Sequence, residues 1–151
     1  LRSRGLGDVY KRQIYNIILA VLTISAARKI LEGSEMKDVR TMLNDFVGGL
    51  GTLSETNEAH VQAFMNLLGT NYAEGALPVK TKELISVAIG AYNRCEYCIV
   101  YHVYKAYEAG ATREEILEAA MVAVAFGGGP SMAYTVTTLK DAVDEFEHDF
   151  E

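Results

Sequence analysis

Asn93-Arg94-Cys95-Glu96-Tyr97-Cys98-Ile99-Val100-Tyr101-His102 is the stretch from which the rest of the chain is read. It holds the only two cysteines among 151 residues. On a helix, steps of three and four residues return to the same face, so Cys95, Cys98 and His102 would line one side. A helix starting near Cys95 turns its free amides and positive dipole end toward that residue, which favours a thiolate there. His102, one turn beyond Cys98, is placed to take or return a proton from Cys98 instead. Two thiols at this spacing can also close a disulfide. Attacking thiolate, resolving thiol and base are the parts that reversible dithiol chemistry needs. Two other readings compete: both cysteines as inert small core residues, or Cys95, Cys98 and His102 as three zinc ligands with His60 or Glu83 completing the shell. A thioredoxin-like motif would need a βαβ context, which the surroundings lack.

Outward from this stretch the periodicity is helical on both sides. Upstream, Lys80 to Arg94 carries Leu84, Ile85, Val87, Ala88, Ile89 and Ala91 at helix spacing. Glu83 shares a face with Val87, Gly90 and Ala91. A carboxylate there is costly unless partnered, and His102 is an available partner; a solvated first-turn Glu is the equal alternative. Downstream, the helix from Cys95 reaches Ala109, and Gly110 suits the left-handed C′ position. Thr112-Arg113-Glu114-Glu115 reads as a capping box for a helix to Phe126. That helix is apolar nearly all round, which predicts cover on every face and hence self-association. Gly127-Gly128-Gly129-Pro130 predicts a break before a last helix to about Phe146. Nearer the start, the spacing predicts helices over Met36 to Leu50, ended by Gly48-Gly49 and Gly51, and from an N-cap at Ser54 to Tyr72, with Val61, Phe64, Met65, Leu68 and Tyr72 in one stripe. The expectation is an all-α fold of about six helices. Tyr97, Tyr101, Tyr104 and Tyr107 read as packing or interface residues, His60 as exposed, and His148 as a tail residue near a helix end.

Half of the residues are hydrophobic and 23% are charged, a globular composition. The net charge of −6 with no basic stripe argues against nucleic acid or an anionic membrane surface as partner. The first residues need separate treatment. Asp8 to Gln13 matches the translation of a transposase mosaic-end adapter, GATGTGTATAAGAGACAG, so residues 1–13 are read as adapter read-through rather than native protein. Residues 14–35 form an uncertain apolar segment, shorter in its apolar run than the ~20 residues of a membrane span. Residues 36–151 are taken as the organised domain. From Met36 on, Lys and Arg total 8 and Asp and Glu total 17, a net of −9. A domain of that length buries roughly 65% of its unfolded surface, enough for one modest core.

Lys82-Glu83-Leu84-Ile85, Asn93-Arg94-Cys95-Glu96-Tyr97-Cys98 and His102 together resemble the alkylhydroperoxidase D-like branch of the carboxymuconolactone decarboxylase superfamily. Ala109-Gly110-Ala111-Thr112, Glu114-Glu115-Ile116 and Gly127-Gly128-Gly129-Pro130 extend the resemblance, which spans roughly Ala59 to Phe146. It implies an all-helical bundle assembled as a homotrimer or hexamer. It implies thiol-dependent reduction of hydroperoxides, without a bound metal or other cofactor, through a redox-active disulfide re-reduced by an external dithiol such as a lipoyl-type reductant protein. Glu83, Cys95, Cys98 and His102 match the family's catalytic and proton-relay positions. Tyr97 departs from the pattern, standing where some members carry a second His. The expected activity is a peroxidase in which Glu83 holds His102, His102 helps deprotonate Cys98, Cys98 attacks, and Cys95 resolves. A dithiol–disulfide oxidoreductase or redox sensor and a zinc-binding interaction module are the alternatives. A dithiol kept reduced, with no trusted signal peptide, predicts a cytoplasmic protein that is not membrane-bound.

Overall fold

The computed structural model describes residues 38–151, and the expectations for residues 1–13 and 14–35 lie outside them. The regular structure among the described residues is all helical, with no strand among them. Helix α1 spans Val39–Tyr72, α2 Val79–Asn93, α3 Glu96–Glu108 and α4 Arg113–Tyr134. A π-helical turn, Thr135–Leu139, joins α4 to α5, Lys140–Phe146, and a short 3₁₀ turn, Glu147–Asp149, follows.

The first boundaries differ from expectation. Asp38 is the N-cap of α1: its Oδ1 accepts from the Thr41 amide at 2.8 Å and its Oδ2 from the Thr41 hydroxyl. The helix then runs through Gly48, Gly49 and Gly51, and Ser54 lies inside it rather than capping a new one. The break comes at Asn57, where φ −133° and ψ 40° leave the helical region. Glycine weakens a helix by about 1 kcal/mol against alanine but does not oblige it to stop. Upstream, Val39 and Met42 anchor the helix in the core. The triple-glycine break is real but is a kink: Gly128 adopts φ 61°, and Pro130 sits in the turn that resumes α4. About six helices are expected; the described residues form five α-helices, of which α1 and α4 are each kinked, at Asn57 and at Gly128.

The other ends follow the local chemistry. Thr112 and Glu115 form the expected capping box, Thr112 Oγ1 accepting from the Glu115 amide and Glu115 Oε2 from the Thr112 amide. Gly110 ends the connection after α3 at φ 79°.

The core lies where α3 meets α2, α4 and α5. Ile99, Val100, Val103 and Ala106 are fully buried on α3, against Val87 and Ala91 of α2, Ile116 and Ala120 of α4, and Leu139, Val143 and Phe146 beyond. Burying each of the larger side chains stabilises the fold by about 1.5–3 kcal/mol. Phe146 packs edge-on to Tyr104, with centroids 5.4 Å apart, and the Arg40 guanidinium covers its ring. Tyr107 donates to the Val143 carbonyl at 3.2 Å, tying α3 to α5, and burial pushes its phenol up to about 12. By length and composition Arg113–Asp149 could cross a membrane. Here the run is kinked at Gly128, and one side of it packs on α2 and α3 as a core helix does. Its other side is bare: Val122 is 58% and Phe126 82% exposed, beside Ile85, Ile89 and Tyr92 of α2, and these residues line one apolar surface depression.

Candidate active site

The connection between α2 and α3 is a single tight elbow. Arg94, the C-cap of α2, is left-handed at φ 58°, the only non-glycine residue with positive φ among those described. This turns the chain so that the amides of both Arg94 and Cys95 reach the Gly90 carbonyl, the second at 3.1 Å. Gly90 is itself a close-approach position. A Cβ there would lie 3.2 Å from the Ile99 nitrogen and 3.3 Å from Ile99 Cγ1. The missing side chain lets the first turn of α3 settle directly on α2.

Cys95 is the N-cap of α3, and its sulfur accepts from the Cys98 amide at 3.3 Å. A sulfur at that position receives the partial positive charge of the helix start. Cys95 and Cys98 are joined as a disulfide, with Cα atoms 5.2 Å apart. Cys98 is the more exposed of the two.

Glu83 and His102 meet across the α2–α3 contact. Glu83 is 3% exposed, among Val87, Gly90 and Ala91, and its Oε2 accepts from His102 Nδ1 at 2.7 Å. The alternative of a solvated Glu83 does not hold. The buried carboxylate has its partner, as a charge removed from water requires. The imidazole is also fixed from other sides. The Tyr72 ring stacks on it, centroids 5.6 Å apart and planes 15° apart, and Tyr101 meets it edge-on at 5.2 Å. Phe46 in turn packs edge-on to Tyr101.

These groups open on a cavity of about 420 Å³. Cys98, His102 and Glu83 lie on its wall, and Phe46, Phe64, Met65 and Leu68 supply its apolar lining. Burial raises the Tyr101 phenol above its ordinary range, with Lys105 opposing the shift. Lys105, also on the wall, is paired with Glu108. The stripe expected on the second half of α1 does not enter the core as a whole. Instead Val61 alone of it is buried, while Phe64, Met65, Leu68 and Tyr72 face the cavity. Tyr97 and Tyr101 line it too, whereas Tyr104 and Tyr107 pack inside, and His60 is exposed. Among the described residues no cluster of three or more His, Cys, Asp or Glu side chains is arranged to hold a metal ion.

Residues 58–141 match the family model for the carboxymuconolactone decarboxylase family. The chain belongs to the carboxymuconolactone decarboxylase family. It is 31% identical over 102 residues to a Cupriavidus necator protein without an assigned function, covering 68% of this chain and 90% of that one. It is also 31% identical over 102 residues to the alkyl hydroperoxide reductase AhpD of Mycobacteroides abscessus, covering 67% of this chain and 56% of that one. The crystal structure of a family protein from Legionella pneumophila superposes with a TM-score of 0.67 at 32% identity, covering 75% of this chain and 97% of that one. The AhpD relationship and the paired cysteines put the chain in the alkylhydroperoxidase D-like branch.

Proposed function

We propose that this chain is a thiol-dependent peroxidase acting on hydroperoxides with apolar bodies. The observation that carries the reading is the cavity: Cys98 and His102 share a wall lined chiefly by Phe46, Phe64, Met65 and Leu68, and Cys95 is not on it. The similarity to an alkyl hydroperoxide reductase supports the same reaction class.

In the reduced enzyme His102 takes the Cys98 thiol proton, its Nδ1 held by Glu83. The Cys98 thiolate attacks the outer peroxide oxygen. The O–O bond breaks, Cys98 becomes a sulfenic acid, and the alkoxide leaves as alcohol with the proton from His102. The Cys95 thiol then displaces hydroxide from the sulfenic sulfur. This forms the Cys95–Cys98 disulfide and releases water. An external dithiol of lipoyl type returns two electrons and two protons, leaving as its own disulfide. No bound cofactor enters these steps. The setting is a reducing compartment, the cytoplasm, and the working form is a homotrimer or hexamer closed over the bare face of α2 and α4.

Stopped-flow oxidation of the reduced protein by cumene hydroperoxide tests the activity. Oxidation in seconds at micromolar peroxide is expected. Slow oxidation at millimolar peroxide would leave a dithiol sensor instead. Cys98→Ser is expected to abolish single-turnover peroxide consumption, whereas Cys95→Ser should consume one equivalent and stop at the sulfenic acid. Full consumption by Cys98→Ser would reverse the two roles.

A further inference from the structure

Glu83 bonds one atom of the His102 imidazole, and a single hydrogen bond does not by itself stop the ring from rotating about its side-chain torsions and breaking that contact. The stacked ring of Tyr72 removes this freedom, and Tyr72 is itself held. Ser86 donates its hydroxyl proton to the Lys82 carbonyl at 2.9 Å, so the short bond between Tyr72 and Ser86 has the phenol as donor. The chain on either side of Tyr72 is fastened to the same helix, because Lys82 Nζ donates to the carbonyls of Asn71 at 2.8 Å and Ala73 at 2.6 Å. Three residues in one turn of α2 therefore divide a task. Glu83 holds the imidazole edge, while Lys82 and Ser86 hold the ring that covers its face.

We propose that Tyr72, tethered by Ser86, is a positioning residue that fixes the plane of the His102 imidazole so that Nε2 is presented to the cavity beside Cys98. With Nδ1 committed to Glu83, Nε2 is the nitrogen left to move a proton. A base must be aligned as well as near, and a small misalignment in the reacting geometry can reduce a rate by one to two orders of magnitude. The inference rests on His102 as the base of the dithiol site.

The test is long-range ¹H–¹⁵N correlation of the histidine rings in the resting, oxidised full chain at pH 9, with His102→Gln assigning the signals. One neutral tautomer, protonated at Nδ1, is expected in the parent protein. Tyr72→Leu is expected to show a mixed pattern and about tenfold slower single-turnover oxidation by cumene hydroperoxide. Tyr72→Phe, which keeps the ring, should recover most of both. Ser86→Ala, which leaves the tyrosine and frees its hydroxyl, should show a smaller share of the second tautomer, and it decides the matter if Tyr72→Leu does not fold. A parent-like pattern in Tyr72→Leu, or in Ser86→Ala where that variant stands alone, overturns the proposal. The ring pattern needs no turnover. A mixed pattern in a protein that never reduces peroxide sinks only the peroxidase reading, and an active peroxidase with an unchanged pattern sinks only this one.

Discussion

Glu83 and His102 stand 19 residues apart in the chain, yet Oε2 and Nδ1 are 2.7 Å apart across the contact of α2 with α3. Each helix thus supplies half of one hydrogen-bonded pair, and the elbow at Arg94 turns the chain between the two helices. Replacing Glu83 with Gln keeps the volume and a hydrogen-bonding group but removes the negative charge that balances a protonated imidazole. General acid–base groups contribute about 10²–10⁴-fold, so Glu83→Gln is expected to slow single-turnover thiol oxidation by about a hundredfold. The thermal midpoint and the rate, measured on the same sample, separate this from unfolding. A rate within threefold of the parent would remove Glu83 from the relay.

Gly90→Ala should report on how closely α3 must sit. The new Cβ would meet the Ile99 nitrogen at 3.2 Å, and that amide already bonds the Cys95 carbonyl at 2.9 Å, so the first turn of α3 must shift as a body. Overpacking typically costs about 1–3 kcal/mol, against which alanine regains up to about 1 kcal/mol of helix propensity. A net loss of about 1–2 kcal/mol in denaturant unfolding is expected. The same shift moves the α3 side chains relative to Glu83 on α2, so oxidation should slow as well. Parent-like stability would mean that Ile99 gives way freely.

Tyr107 predicts a limit on the alkaline side. Its phenol is pushed up to about 12 by burial, with Glu147 adding to the shift and Arg113 opposing it. The folded state therefore holds this proton more tightly than the unfolded chain, where a tyrosine titrates near 10. The contribution is fully present below pH 10 and is lost as pH rises toward 12. Tyr107→Phe should cost about 1 kcal/mol near neutrality through the lost bond to the Val143 carbonyl. It should also flatten the fall in stability between pH 10 and 12, read by thermal melts across that range. An unchanged alkaline limb would place its cause elsewhere.

Phe126 tests the assembly. It stands 82% exposed beside Val122 and the bare side of α2. Phe126→Asp is expected to lower the mass measured by light scattering from that of an oligomer toward that of the 16.6 kDa chain. A parent chain that is already monomeric at high concentration would remove this face from consideration.

Much of this was legible in the residues because it is local. Caps and helical periods act within one or two turns, so Thr112 with Glu115, Gly110, and the start of a helix at Cys95 could be read directly. The Glu83–His102 pair could be named as an option, but its choice over solvation depends on how α2 packs against α3, which periodicity does not encode. The fate of the α1 stripe was hidden for a related reason. Phe64, Met65 and Leu68 have core-like spacing, and whether an apolar stripe meets a wall or a cavity is decided by its neighbours. The glycines of α1 misled because glycine permits a break without requiring one. Tyr72 gave no signal, since its partners Ser86 and His102 lie 14 and 30 residues further along the chain.

One feature of α2 joins site and surface: the helix that buries Glu83 on its inner side exposes Ile85, Ile89 and Tyr92 on its outer side. Mass action then reaches the helix that carries Glu83. Where a second copy covers that outer side, protomers at a hundred times their dissociation constant gain about 2.7 kcal/mol in stability, and dilution withdraws it. Under the proposed function, specific activity would then fall as the assay is made more dilute, with no change at any residue that lines the cavity.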